Sequence, residues 1–138
     1  MQILECGREH RETLLFFPCT AEPVWAFADT IAVLSQRWHI FQVVFDGHQP
    51  EYPGDFTSVE QTVDEVTQYL NVHGISHLDA AYGCSLGGSF VGQLAARQNI
   101  HMDYGILGSS DLDQASPAAS LQTNLLLPLI YPVVRDGK

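Results

Sequence analysis

Ala81-Tyr82-Gly83-Cys84-Ser85-Leu86-Gly87-Gly88-Ser89 closes an apolar run that begins at Leu78 and opens a helical pattern that reaches Arg97. Ser85 sits midway between Gly83 and Gly87. A strand that turns at once into a helix brings the positions two before and two after the turn residue together, so neither has room for a side chain. The turn residue is then expected in strained backbone geometry, with its hydroxyl above the sheet edge. The helix that follows aims free N–H groups and the positive end of its dipole at the same point. An oxyanion formed by attack on a carbonyl would be stabilised there, an effect of about 2.7–4 kcal/mol per donor. Ser85 is therefore the candidate nucleophile. Glycine and serine also occur in strand–helix turns for packing alone, so the five-residue pattern carries weight only through its context.

That context is strand–helix alternation. Upstream, Thr13-Leu14-Leu15-Phe16-Phe17 reads as a buried strand closed by Pro18, and His39-Ile40-Phe41-Gln42-Val43-Val44-Phe45 as a second, ended by Asp46-Gly47. Between them residues 25–36 carry Phe27, Ala28, Ile31 and Leu34 at helical spacing with Val24, and Pro23 suits a helix start. Ser58 with Gln61 predicts a capping box for a helix bearing Val59, Val63, Val66 and Leu70, stopped at Gly74. Residues 78–83 form a third strand, 87–97 a third helix and 104–108 a fourth strand. Continuous apolar strands alternating with helices predict an α/β fold: a three-layer αβα arrangement with a mainly parallel sheet. The chain reads as a single domain over 1–138, with its core at about 13–111 and residues 112–138 as a lid-like or C-terminal arm.

Other chemistries fail on detail. Gly87-Gly88-Ser89-Phe90-Val91-Gly92 has the glycine spacing of a phosphate-binding loop, but Gln93 and Leu94 stand where Lys and Ser/Thr are needed. A dinucleotide fingerprint fails because Ser85 stands two residues after Gly83. Cys84 is a poor nucleophile candidate, since the glycines centre on Ser85. The 138 residues carry a formal charge of −10 and only six Lys and Arg, scattered without a run, so nucleic acid and anionic membrane are poor partners. Cys6, Cys19 and Cys84 are widely spaced and odd in number, against a disulfide framework or zinc ribbon; a reducing, cytoplasmic setting fits. No leader is visible, and the apolar stretch 125–134 is too short for a bilayer. No metal or organic cofactor is expected.

Over residues 13–111 the chain resembles the α/β-hydrolase family. The resemblance rests on Gly83-Cys84-Ser85-Leu86-Gly87 as a nucleophile elbow between strand and helix. It implies a serine hydrolase of an ester or similar acyl bond in a small-molecule substrate. It also implies an oxyanion hole from the Leu86 N–H and the Phe17-Pro18-Cys19-Thr20 loop, with Cys19 or Thr20 as second donor; Pro-Cys stands where the family usually has His-Gly. Phe45-Asp46-Gly47-His48 is similar to a structural loop of the family. In the family's order an acid and then a His follow the serine. Asp111, after the fourth strand, is the candidate acid or a helix cap, with Asp113 second. The one later His, His101, falls at the opposite sheet edge. His48 follows a strand on the correct edge and is the better-placed candidate base, although it is out of family order and reads more readily as a solvated loop residue. His10, His39, His73 and His77 read as surface residues. Trp25, Tyr52 and Phe56 read mainly as core or loop packing, or as lining of an apolar pocket.

The expectation is the front half of a serine hydrolase: a truncated chain, a compact relative of altered function, or one that borrows a partner's surface. The rival expectation is a catalytically impaired or non-catalytic binding module. Its last strand would be an open edge, and the 125–130 segment would drive homo-oligomerisation.

Overall fold

A computed structural model describes residues 1–48 and 53–110. Five strands form one sheet: β1 (Gln2–Cys6), β2 (Thr13–Phe17), β3 (His39–Val44), β4 (His77–Cys84) and β5 (His101–Gly108), in the order β1-β3-β2-β4-β5. The β2, β3, β4 and β5 pairings are parallel, and only β1 runs antiparallel, against β3. Parallel neighbours require crossover helices, which are α1 (Ala28–Leu34), α2 (Val59–Val72) and α3 (Leu86–Arg97). The three layers are those expected. Phe17, Phe41, Val43 and Phe45 on one sheet face pack with Val63, Val66 and Leu70 of α2 and Phe90, Val91 and Leu94 of α3. Leu14, Phe16, Ile40 and Ala80 on the other face pack with Ile31 of α1.

α2 shows why local sequence sufficed. Ser58 caps it by accepting the Gln61 N–H at 3.1 Å, and Val63, Val66 and Leu70 are fully buried at the expected spacing. The reciprocal half of the capping box does not form: the Gln61 side chain bonds Thr57 and Glu65 instead. At the far end Gly74 takes φ +75°, its N–H donates to Asn71 and that of Ile75 to Leu70, a Schellman stop.

Three expectations need correction, and one strand carries no signal in the sequence. β1 was not foreseen, because Gln-Ile-Leu-Glu-Cys has neither an apolar run nor clean alternation; its register against β3 is a tertiary fact. The 25–36 helix begins as a 3-10 turn, Val24–Phe27, and Trp25 is 77% exposed rather than packed. β5 starts at His101 instead of residue 104, since pairing with β4 extends it through polar residues. His39 is no surface residue: its Nε2 lies 3.0 Å from Glu5, which also accepts from the Tyr69 hydroxyl. Burial and that bond push the Tyr69 phenol up to about 12.

Among the described residues no helix is long and apolar enough to cross a membrane. An apolar groove of about 440 Å³ runs along the α1 face between Phe27, Leu34, Trp38, Tyr82 and Ile106. Tyr104 and Ile106 of β5 remain exposed.

Candidate active site

Ser85 stands between the last residue of β4 and the first of α3, with φ 52° and ψ −117°, and its side chain is exposed. This is a region that L-residues avoid, at a cost of order 1–3 kcal/mol. Its surroundings hold it there. The Ser85 N–H donates to Gly108 O at 2.8 Å, continuing the β4–β5 ladder, and Ser85 O accepts the Gly88 N–H at 3.0 Å. A Cβ on Gly83 would lie 2.1 Å from Gly87 O; one on Gly87 would lie 2.5 Å from Phe17 O and 2.8 Å from Pro18 O. Backbone meets backbone at both positions, so neither glycine can be replaced by relaxation of a side chain. At Gly88 the neighbour is a side chain: a Cβ there would run into that of Ser110, two residues past β5.

The same contacts bring the Pro18-Cys19-Thr20 loop against the start of α3. Ser85, Leu86, Cys19 and Thr20 therefore share the sheet edge formed by the C-terminal ends of β2 and β4. Among the described residues the Leu86 N–H has no hydrogen-bond acceptor. The Cys19 N–H does have one, Glu22 Oε2 at 3.3 Å. Glu22 is a residue that sequence reasoning missed; the signal was a carboxylate three residues past Cys19, within reach of that residue's backbone N–H. Burial, followed by the neighbouring Cys84 thiol and the Glu22 carboxylate, pushes the Cys19 thiol up to about 12. Burial and the same neighbours raise Tyr82 as well.

His48 lies after β3 on the same edge, but it is packed as an aromatic. Its ring meets Phe45 edge-on at 5.2 Å and stacks on Phe56 at 5.8 Å, and both phenylalanines contact Phe90 of α3. Phe56 thus packs against the core, as the packing reading had it. Burial lowers the His48 pKa, and Nδ1 is buried with no hydrogen-bond partner. No hydrogen bond joins His48 to Ser85 among the described residues. His101 opens β5, beside His77 at the start of β4, so it lies at the edge opposite Ser85, as expected. Asp111, Asp113, Tyr52 and the 125–130 segment fall outside the described residues.

No family model matches the sequence, and no curated protein matches it. Solved structures do. An α/β-hydrolase-family protein from Desulfitobacterium hafniense superposes with a TM-score of 0.81 at 20% identity, over 97% of this chain and 54% of its own. MenH from S. aureus follows at 0.74 and 17%, over 97% and 51%. The enol-lactonase from Burkholderia xenovorans LB400 gives 0.71 and 20%, over 91% and 49%. The chain has the α/β-hydrolase fold. It spans about half the length of these structures. Within that fold Ser85 occupies a tight turn from β4 into α3, with glycine two residues to either side and a positive φ of its own.

Proposed function

We propose that this chain carries the nucleophile half of a serine hydrolase acting on an ester, lactone or similar acyl bond. The observation that carries the proposal is the strained, exposed Ser85 at the N-terminus of α3, with glycine required on both sides. In this reading the Ser85 Oγ attacks the acyl carbon, its proton passes to a base, and the alcohol departs with a proton. Water then hydrolyses the acyl-serine ester. The Leu86 N–H binds the oxyanion, with Thr20 or Cys19 as second donor. Glu22 opposes that step while its carboxylate occupies the Cys19 N–H. His48 is the candidate base among the described residues, since it follows β3 at the same sheet edge as Ser85 and burial lowers its pKa, which favours the neutral imidazole. Asp111 remains the proposed acid. The esterase, enol-lactonase and hydrolase names of the structural neighbours agree with an acyl substrate.

A fluorophosphonate probe should label the wild-type chain and fail to label Ser85→Ala; labelling that survives the substitution removes Ser85 from the role. Activated esters such as nitrophenyl acetate should turn over slowly, because elbow and oxyanion donors without an engaged base retain only about 10³–10⁴ over water. One observation favours a second reading, a binding module: the Cys19 amide is already satisfied by Glu22. Retention of a lactone or ester analogue with no turnover, unchanged in Ser85→Ala, would establish that reading instead.

A further inference from the structure

We propose that His77, His101 and Asp103 form a binding site for a divalent transition-metal ion of the Zn²⁺, Co²⁺ or Ni²⁺ class, at the end of the sheet remote from Ser85. The register of β4 on β5 sets His77 directly beside His101, and Asp103 follows two residues along, on the same face of its strand. The imidazole rings stack with centroids 5.3 Å apart and planes 20° from parallel. Both Nε2 atoms converge on one carboxylate oxygen: Asp103 Oδ1 lies 3.1 Å from His77 and 3.2 Å from His101.

Donor chemistry and spacing select the ion. Ligands at about 2.0–2.2 Å in a tetrahedron stand about 3.3 Å apart, so the two N···O separations already match to within about 0.2 Å. All the donor atoms lie within 4.8 Å of one another, so closing the two nitrogens on an ion requires only small side-chain rotations. Two neutral imidazoles and a carboxylate suit Zn²⁺, Co²⁺, Ni²⁺ or Cu²⁺ and not Mg²⁺ or Ca²⁺, which take oxygen ligands. Three protein donors leave the fourth position to water. The side chains are open to solvent, His77 at 44%, His101 at 73% and Asp103 at 42% exposure, so an ion enters without rearranging the core. The eight residues of β4 put this site roughly 25 Å from Ser85. It is therefore independent of the elbow, and it clasps β5 to its neighbour at the end where β5 begins. No sequence motif announces it, because its ligands come from two strands that only the parallel register brings together.

Titration of the metal-free chain with Zn²⁺ by calorimetry, and with Co²⁺ by visible absorption, tests the proposal. The expected result is one ion per chain, with the absorption of nitrogen and oxygen coordination and no thiolate charge-transfer band. His101→Ala and the isosteric Asp103→Asn should each weaken Zn²⁺ binding at least about tenfold, while His73→Ala leaves it unchanged. Zn²⁺ should raise the Tm of wild type and not of His101→Ala. Circular dichroism of the variants confirms that they remain folded. Stoichiometric binding that is equal in His101→Ala, Asp103→Asn and wild type, a thiolate band, or no binding to the folded wild type overturns the site.

Discussion

At the scale of single residues, Ser85 trades stability for exposure. Its φ of 52° is a conformation that glycine takes freely, so Ser85→Gly should be more stable than Ser85→Ala by about 1 kcal/mol in urea unfolding. Equal stabilities would mean that the elbow is not strained. Gly83→Ala should behave oppositely and lose about 3 kcal/mol, because the added methyl meets the Gly87 carbonyl, which has nowhere to move. Glu22 has the opposite sense to the glycines. Its carboxylate accepts the Cys19 N–H, one of the proposed oxyanion donors, and on that proposal Glu22→Gln should speed phosphonate labelling about tenfold by removing a like charge from a partly desolvated position. A rate that stays level would place Glu22 outside the reacting region. The Cys19 thiol, with its pKa pushed up to about 12, should resist alkylation at neutral pH in the folded chain and react once the chain is unfolded.

At the scale of elements, the helices follow from local rules and the strand edges do not. Ser58 is a cap in practice as well as in pattern, so Ser58→Ala should cost about 1 kcal/mol through the orphaned Gln61 N–H, measured as a fall in Tm. β1 is held differently. Its Glu5 carboxylate takes contacts from Tyr69, His39 and Arg8, which together tie the strand to α2, β3 and the following turn. The helix bearing Ser58 was legible because 3.6-residue spacing and a cap are both written in consecutive residues. β1 was not legible, because a half-covered edge strand needs only a partner, and that partner, β3, lies more than thirty residues away.

At the scale of the molecule, carboxylates pin distant segments and make stability depend on pH. Asp79 accepts the Thr13 N–H at 2.7 Å and the Thr13 hydroxyl at 3.0 Å, joining β2 to β4, and the backbone hydrogen bond leads in lowering its pKa. Glu5 is also lowered, burial being outweighed by Tyr69, His39 and Arg8. Groups with depressed folded pKa values stabilise the fold above their unfolded values of about 4, and that stability is lost as pH falls through the folded ones. The chain should therefore lose stability steeply below about pH 4, and Asp79→Asn should flatten part of the decline in a series of urea midpoints. An Asp79→Asn curve parallel to wild type would mean that the clasp does not tighten on folding.

The sequence by itself determined the α/β architecture, four of the five strands, the helices and the tight strand–helix turn at Ser85, because each depends on spacing within a dozen residues. It also placed Ser85, since two glycines around one serine can be read without knowing what surrounds them. Only the tertiary structure decided what those surroundings are. It set β1 antiparallel on β3, put the Glu22 carboxylate on the Cys19 amide, packed His48 between Phe45 and Phe56, and gathered His77, His101 and Asp103 at the far edge. Each of these is a meeting of side chains or strands set by sheet register and crossover geometry, and register is fixed by the burial of a whole face, which no short stretch of sequence contains.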